Sequence, residues 1–293
     1  MFDNLIGNNK IKKELEKVLA NNNISHCYLF IGTQGIGKKE FAKEFAKGIL
    51  CINKTPECLE CKSCIEFQND NNADFYYIGL GEENSIKIED IRKMQKKVQE
   101  LPIVSNRKVY IIDDSDFMTK EAQNCLLKTI EEPPEFVTVI LIASNENKIL
   151  NTIKSRALKI AFNNIEDKDL KEYLENTYKI NELSQNILKA YGGSIGKAIK
   201  MNKYTEEFLK IEKVFTNVEK YNIITAIKEL EVLYKEKEII EDLLEYINVI
   251  FIEKAKEDIK FVDYISVIED VKKKIKSNCN YDMAIDSLIF SIW

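Results

Sequence analysis

One feature constrains this chain most: a glycine-rich loop between an apolar strand and an amphipathic helix, with four cysteines directly after that helix. The strand reads Cys27-Tyr28-Leu29-Phe30-Ile31 and the loop Gly32-Thr33-Gln34-Gly35-Ile36-Gly37-Lys38-Lys39. Phe41, Ala42, Phe45, Ala46 and Ile49 then recur at helical spacing. This order is the setting a phosphate-binding loop needs. Glycines let backbone N–H groups wrap phosphate oxygens at a helix N-terminus, and a lysine adds a point charge. Gly32, Gly37 and Lys38 match that pattern, with Gly35 inside the loop. Lys39 departs from it. The next position normally carries a Ser or Thr hydroxyl for Mg²⁺, and a protonated ammonium cannot ligate a metal and repels it. The residues leave two readings open, a degenerate nucleotide site without productive hydrolysis and a glycine turn that binds nothing.

Cys51, Cys58, Cys61 and Cys64 follow as Cys-x₆-Cys-x₂-Cys-x₂-Cys. Four thiolates at this spacing suit a closed tetrahedral Zn²⁺ site, which is structural because no position is left for water. An iron–sulfur cluster and unligated thiols are the alternatives. Cys27, Cys125 and Cys279 stand apart in apolar contexts and are expected to be buried free thiols. The lone histidine, His26, precedes the first strand and is read as structural.

A second apolar strand, 108–112, ends in Asp113-Asp114-Ser115-Asp116. A carboxylate at such a strand end can hold Mg²⁺ through water, and a following Glu can orient the attacking water. Asp113 fits the first role, while Asp114 is one methylene short for the second. The other reading is a solvated acidic loop that caps a helix at Thr119. Ser155-Arg156 follows a third strand (137–143) and a short helix expected over 148–153, and from the residues alone Arg156 is a surface arginine or a projecting functional one.

Helix and strand alternate through the first half, with helices expected over 9–20, 88–100 and 119–130 and a further strand over 75–78. Nearly continuous apolar strands in that alternation predict a parallel sheet covered on both faces. Beyond residue 160 the strands cease. Short amphipathic helices are expected over 165–180 and 182–190, with Ser194 capping another. From Tyr204 onward the chain lacks glycine and proline and reads as long helices. One has a stripe of Ile223, Ala226, Ile227, Leu230, Leu233 and Tyr234; the next has Leu243, Leu244, Ile247, Ile250 and Phe251. The net charge is −5, which argues against a large nucleic-acid footprint owned by this chain alone. No apolar run approaches the ~18–20 residues of a bilayer span, and residues 1–4 carry no signal-peptide pattern. A soluble, cytoplasmic protein in a reducing compartment is expected.

Taken together these segments resemble the clamp-loader branch of the AAA+ ATPases, and within it the delta-prime subunits of bacterial DNA polymerase III. The resemblance runs through residues 2–7, 25–32 and the loop, the four cysteines, 88–92, 107–113, the stretch Leu126-Leu127-Lys128-Thr129-Ile130-Glu131-Glu132-Pro133-Pro134, and 149–156. Ala157 stands where the family usually has Cys. The family's motor subunits, gamma and tau, keep Ser or Thr after the loop lysine and a nucleotide-sensing Arg where this chain has Gly196. The resemblance therefore implies a non-motor subunit. It further implies an α/β AAA+ domain with a zinc module over 1–163, a small helical lid over 164–203 and an all-α collar over 204–293. Arg156 would serve ATP bound by a neighbouring subunit. The implied partners are delta, gamma/tau and, through the complex, the sliding clamp and primed DNA. The implied cofactors are structural Zn²⁺ at Cys51, Cys58, Cys61 and Cys64, and ATP or ADP at the degenerate loop. The rivals are a working AAA+ motor ATPase and a zinc-dependent DNA-binding regulator.

Overall fold

The computed structural model describes residues 1–54, 58–80, 84–180, 184–277 and 279–293. The chain divides into two compact units, Met1–Asp169 and Leu170–Trp293.

The first unit runs α1 (Asn9–Ala20), β1 (Cys27–Ile31), α2 (Lys38–Leu50), α3 (Lys62–Gln68), β2 (Phe75–Ile78), α4 (Ile88–Val98), β3 (Lys108–Ile112), α5 (Lys120–Glu131), β4 (Val137–Ala143), α6 (Asn151–Lys154) and β5 (Leu158–Ala161). The strands form one parallel sheet in the order β2-β3-β4-β1-β5. This α/β architecture is the one expected of an AAA+ domain.

Side chains alternate across the sheet because successive residues of a strand point to opposite faces. Tyr28, Phe30, Val109, Ile111, Ile140 and Ile142 join Phe41 and Phe45 of α2 and Leu15 of α1 in one core. Cys27, Leu29, Tyr110, Ile112, Val139 and Leu141 join Met94 of α4 and Leu126 of α5 in the other. With both faces buried, every residue of β3 and β4 is buried, which explains their almost wholly apolar sequence, with Lys108 and Thr138 as the buried exceptions. The Tyr28 and Phe45 rings meet edge-on with centroids 5.0 Å apart, so truncating Phe45 to Ala would cost about 3–5 kcal/mol.

The edges depart from expectation. β5 was not anticipated; of its four residues only Ile160 is buried, so its pattern is too weak to read as a strand. It nevertheless pairs with β1, from Tyr28↔Leu158 to Ile31↔Ala161. The helix expected over 148–153 is a 3₁₀ turn, Glu146–Lys148, followed by the short α6. Thr119 caps α5, its hydroxyl accepting from the Ala122 N–H at 3.2 Å.

The second unit holds α7 (Asp167–Tyr173, entered from the first unit), α8 (Gln185–Tyr191), α9 (Ile195–Asn202), α10 (Thr205–Thr216), α11 (Ile223–Glu229), α12 (Val232–Lys235), α13 (Ile240–Ala255), α14 (Val262–Lys276) and α15 (Tyr281–Ile292). The expected helix over 165–180 is α7 and a π turn, Leu174–Tyr178. The start of the helix expected at Glu182 lies outside the described residues. Ser184 and Ser194 cap α8 and α9 through the N–H groups of Ile187 and Lys197. The stripe from Ile223 to Tyr234 is not one helix. It breaks between α11 and α12, and Ile227 is 39% exposed. The α13 stripe is buried as expected, through Leu243, Leu244, Ile247, Ile250 and Phe251.

Of the three scattered cysteines, only Cys27 is fully buried. Cys125 lies on the flank of α5, where its thiol donates to Gln95 Oε1 at 3.2 Å. Cys279 is exposed in the connection between α14 and α15. Leu126 and Leu127 beside Cys125 misled the reading there, whereas Cys279 is flanked by polar residues that already spoke against burial. Among the described residues, no helix is long and apolar enough to cross a membrane.

Candidate functional site

The sheet order brings the carboxyl ends of β1, β3 and β4 together. β1 pairs with β4 as Ile31↔Ala143, so Gly32 and Ser144 leave the sheet side by side. Such a crevice beyond strand carboxyl ends is the usual binding place of an open parallel sheet. The loop bends there because its glycines meet two different demands. Gly37, ahead of α2, has φ +94, a left-handed conformation that favours glycine. Gly32 is confined by space: a Cβ there would stand 2.7 Å from Ile36 Cδ1 and 2.8 Å from the Phe162 carbonyl oxygen.

Lys38 is buried at the start of α2. Its ammonium donates to the carbonyls of Gly32 at 2.6 Å and Thr33 at 2.8 Å, and to Ser144 Oγ at 3.2 Å. Burial lowers its pKa below the ordinary lysine value, against the opposing pull of Asp113, Asp116 and Asp114. Lys39 faces a different set of groups. It donates to the Tyr77 hydroxyl at 2.7 Å and pairs with Asp113 Oδ2 at 3.5 Å.

The acidic segment divides its labour. Asp113 sits at the end of β3, with its N–H bonded to the Ile78 carbonyl at 2.8 Å. Asp114 adopts φ 50, a left-handed turn conformation. Burial, reinforced by the charges of Asp113 and Asp116, raises its carboxyl pKa. Asp116 is buried and structural: its two oxygens accept the N–H groups of Ser144 at 3.2 Å and Asn145 at 3.1 Å, tying the segment after β3 to that after β4.

Arg156 follows α6 and is half-exposed. Its guanidinium meets Glu131 Oε1 at 3.0 Å and donates to the Thr152 carbonyl at 3.0 Å and Ser155 Oγ at 3.3 Å. None of these partners belongs to the loop or the acidic segment. Gly196 lies in the first turn of α9, in the second unit.

The four cysteine ligand atoms converge to within 4.8 Å of one another. Zinc–sulfur bonds of about 2.3 Å in a tetrahedron imply sulfur–sulfur edges of about 3.8 Å, so the donor set fits Zn²⁺. The sulfurs also receive N–H groups. Asn53 Nδ2 and the Cys61 N–H reach Cys58 Sγ at 3.2 and 3.3 Å, and the Cys64 N–H reaches Cys61 Sγ at 3.4 Å. Burial opposes ionisation of Cys61, but the N–H groups of Cys64 and Ile52 prevail and bring its pKa to about 6. Burial and its sulfur neighbours push the Cys64 thiol up instead. Four like thiols cannot all ionise in one pocket without a cation.

Helix α3, which carries Cys64, is pinned by a polar network. Buried Ser63 and Ser105 share a 2.7 Å hydroxyl contact, Asn72 Nδ2 donates to the Ser63 carbonyl and hydroxyl at 2.9 Å, and Ser105 Oγ donates to the Leu50 carbonyl at 2.9 Å. Asp74, also buried, accepts the N–H groups of Ile103, Val104 and Ser105 at 2.7–2.8 Å.

The sequence reading missed Tyr77 and Ser144. Both lie at or just beyond strand carboxyl ends, so the order of the strands would have pointed to them.

A sequence model described as DNA polymerase III, delta subunit, matches residues 7–166. The DNA polymerase III subunit tau/gamma of Haemophilus influenzae is 35% identical over 176 residues, covering 59% of this chain and 25% of that protein. The tau subunit of Bacillus subtilis is 37% identical over 166 residues, covering 56% and 29%. The chain thus spans about a quarter of the length of these relatives. A DNA polymerase III gamma subunit-related protein from Thermotoga maritima shares the fold, with a TM-score of 0.52 at 17% identity over 95% of this chain and 98% of that one. With the family match covering more than half of its 293 residues, this chain belongs to the DNA polymerase III delta subunit family.

Proposed function

We propose that this chain is the non-motor, delta-prime-type subunit of a cytoplasmic clamp loader. The observation that carries the reading is Lys39. The residue that would offer a metal-ligating hydroxyl is instead a cation bound to Tyr77 and Asp113. Asp114 in place of Glu and Gly196 in place of a sensing arginine add support, because each removes a group that hydrolysis would use. In this reading the chain assembles with delta and gamma/tau subunits, and through them acts on the sliding clamp and primed DNA. Residues 164–203 form its lid and 204–293 its assembly collar. Zn²⁺ held by Cys51, Cys58, Cys61 and Cys64 is structural. Arg156 acts in trans: a guanidinium keeps its charge at cellular pH and forks onto phosphate oxygens, so it stabilises the γ-phosphate of ATP bound next door.

A motor of the gamma/tau type is the second reading. It is favoured by the intact Gly32, Gly37 and Lys38 and by the names of the relatives. ATP turnover by the purified chain separates the two. The non-motor reading expects no turnover above background in Mg²⁺. Robust Mg²⁺-dependent hydrolysis that disappears in Lys38→Ala would overturn it.

A further inference from the structure

The loop that holds Lys38 carries a second, fixed cation, and one of its fixing groups, Asp113, is the carboxylate a divalent metal would need. Lys39 donates to the Tyr77 hydroxyl, and that hydroxyl donates its own proton to Asp113 Oδ2 at 2.6 Å. The same carboxylate oxygen lies 3.5 Å from the Lys39 ammonium. The other, Oδ1, accepts the Asp114 N–H at 3.0 Å. The Tyr77 ring lies beneath the ammonium, with its centroid 4.5 Å from Nζ. Gly79 leaves room for that ring, since a Cβ there would stand 3.0 Å from Tyr77 Cε1. Burial works against charge on Lys39, but Tyr77 and Asp113 prevail and raise its pKa above the ordinary lysine value.

Mg²⁺ demands near-ideal octahedral oxygen ligation at about 2.0–2.1 Å. Here both oxygens of Asp113 are already engaged, and the adjacent position holds a positive charge rather than a ligand. The residues do not fit a divalent cation. Resting on the phosphate-loop reading of residues 32–39, we propose that Lys39 is the resident counter-cation of this site, so that a nucleoside polyphosphate binds without divalent metal. Backbone N–H groups of the loop, Lys38 and Lys39 contact the phosphates. Asp113 holds Lys39 instead of a metal, and Tyr77 is the positioning residue that joins them.

The test is calorimetric titration of the full chain with ADP, once in EDTA and once in Mg²⁺. The wild-type dissociation constants should agree within about twofold. Lys39→Thr removes the cation and supplies the hydroxyl. It should weaken binding in EDTA and make binding about tenfold tighter in Mg²⁺ than in EDTA. Tyr77→Phe keeps the ring but unties Lys39 from Asp113, and should give a smaller Mg²⁺ preference of the same sign. Thermal melts establish that each variant is folded, and the wild-type titration decides even where a variant is not. The proposal is overturned if the wild-type chain binds ADP about tenfold tighter in Mg²⁺, if it binds ADP in neither buffer, or if folded Lys39→Thr remains indifferent to the metal. None of these results bears on assembly with other subunits, which turnover and reconstitution test separately.

Discussion

The cysteine cluster and the phosphate loop lie in the same unit, joined by α2, yet they solve opposite problems. The four sulfurs face one another within 4.8 Å, a donor set that could take up a cation from outside. The loop supplies its own cations: Lys38 is satisfied by Gly32, Thr33 and Ser144, and Lys39 by Tyr77 and Asp113. A constellation that resembles a binding site therefore has to be asked what its polar groups already hold. By that criterion the cysteines offer a donor set with room for an ion, whereas the cations of the loop already have their partners.

The largest effect should come from breaking the cysteine side. Cys64 is buried, so Cys64→Ser would leave three sulfurs and a misfitting hydroxyl there. Structural zinc sites in small peptides are worth about 10–16 kcal/mol of apparent binding free energy. Loss of zinc should therefore unfold this module locally. One zinc per chain in the wild type, a marked loss in the variant, and new protease sensitivity around residues 51–68 are the expected results. Absence of zinc from wild-type protein purified under reducing conditions would erase the contrast between the two sites.

The next effect tests whether catalytic work lies outside the chain's own loop. The Arg156–Glu131 pair is partly exposed on both sides and worth at most about 1 kcal/mol of stability. Arg156→Ala should therefore fold and assemble normally. Arginine fingers contribute about 10³–10⁵ in rate in GTPase systems. In a reconstituted complex at matched assembly, the variant should slow DNA-stimulated ATP hydrolysis, by less than that range where several motor sites turn over. Arg156→Lys should restore little, since an ammonium lacks the fork. Wild-type rates in the Ala variant would make Arg156 an ordinary surface residue.

A smaller effect probes the loop's self-sufficiency. Gly32→Ala would press a methyl against Ile36 Cδ1 and the Phe162 carbonyl. The isoleucine can rotate, but the carbonyl belongs to the segment directly after β5 and has little freedom to move. Overpacking of this kind costs about 1–3 kcal/mol, read as a lower denaturation midpoint with zinc fully retained. An unchanged midpoint would mean that the loop is looser than its contacts indicate.

Legibility followed burial. β1, β3 and β4 were readable because strands buried on both faces are nearly all apolar, Lys108 and Thr138 being the exceptions. β5 was not, since three of its four residues face solvent and its pairing with β1 rests on backbone hydrogen bonds that leave no mark on side-chain type. The glycines, Lys38 and the cysteines announced themselves by local spacing. Tyr77 and Ser144 could not, because Ser144 meets the loop only through β4 lying beside β1, and Tyr77 meets Asp113 only through β2 lying beside β3, which are facts of topology. Cys125 shows the converse error, in which the apolar Leu126 and Leu127 beside it in sequence were taken as a sign that it is buried too.

The smallest effect asks how far the cysteine side is organised before any metal arrives. Ser63 lies between two of the cysteines and is buried, and its hydroxyl meets Ser105 Oγ at 2.7 Å and Asn72 Nδ2 at 2.9 Å. Ser63→Ala deletes that hydroxyl. Ser105 keeps its bond to the Leu50 carbonyl and Asn72 its bond to the Ser63 carbonyl, so neither partner is stranded. The net cost should be near that of one ordinary buried hydrogen bond, about 1 kcal/mol. If the network pre-positions α3, the variant should still take up one zinc but release it faster to a chelator, at a small loss of global stability. If the metal alone organises the module, release should be unchanged while stability falls by the same amount. Measuring both quantities on one variant distinguishes a frame built to receive the ion from one that the ion builds.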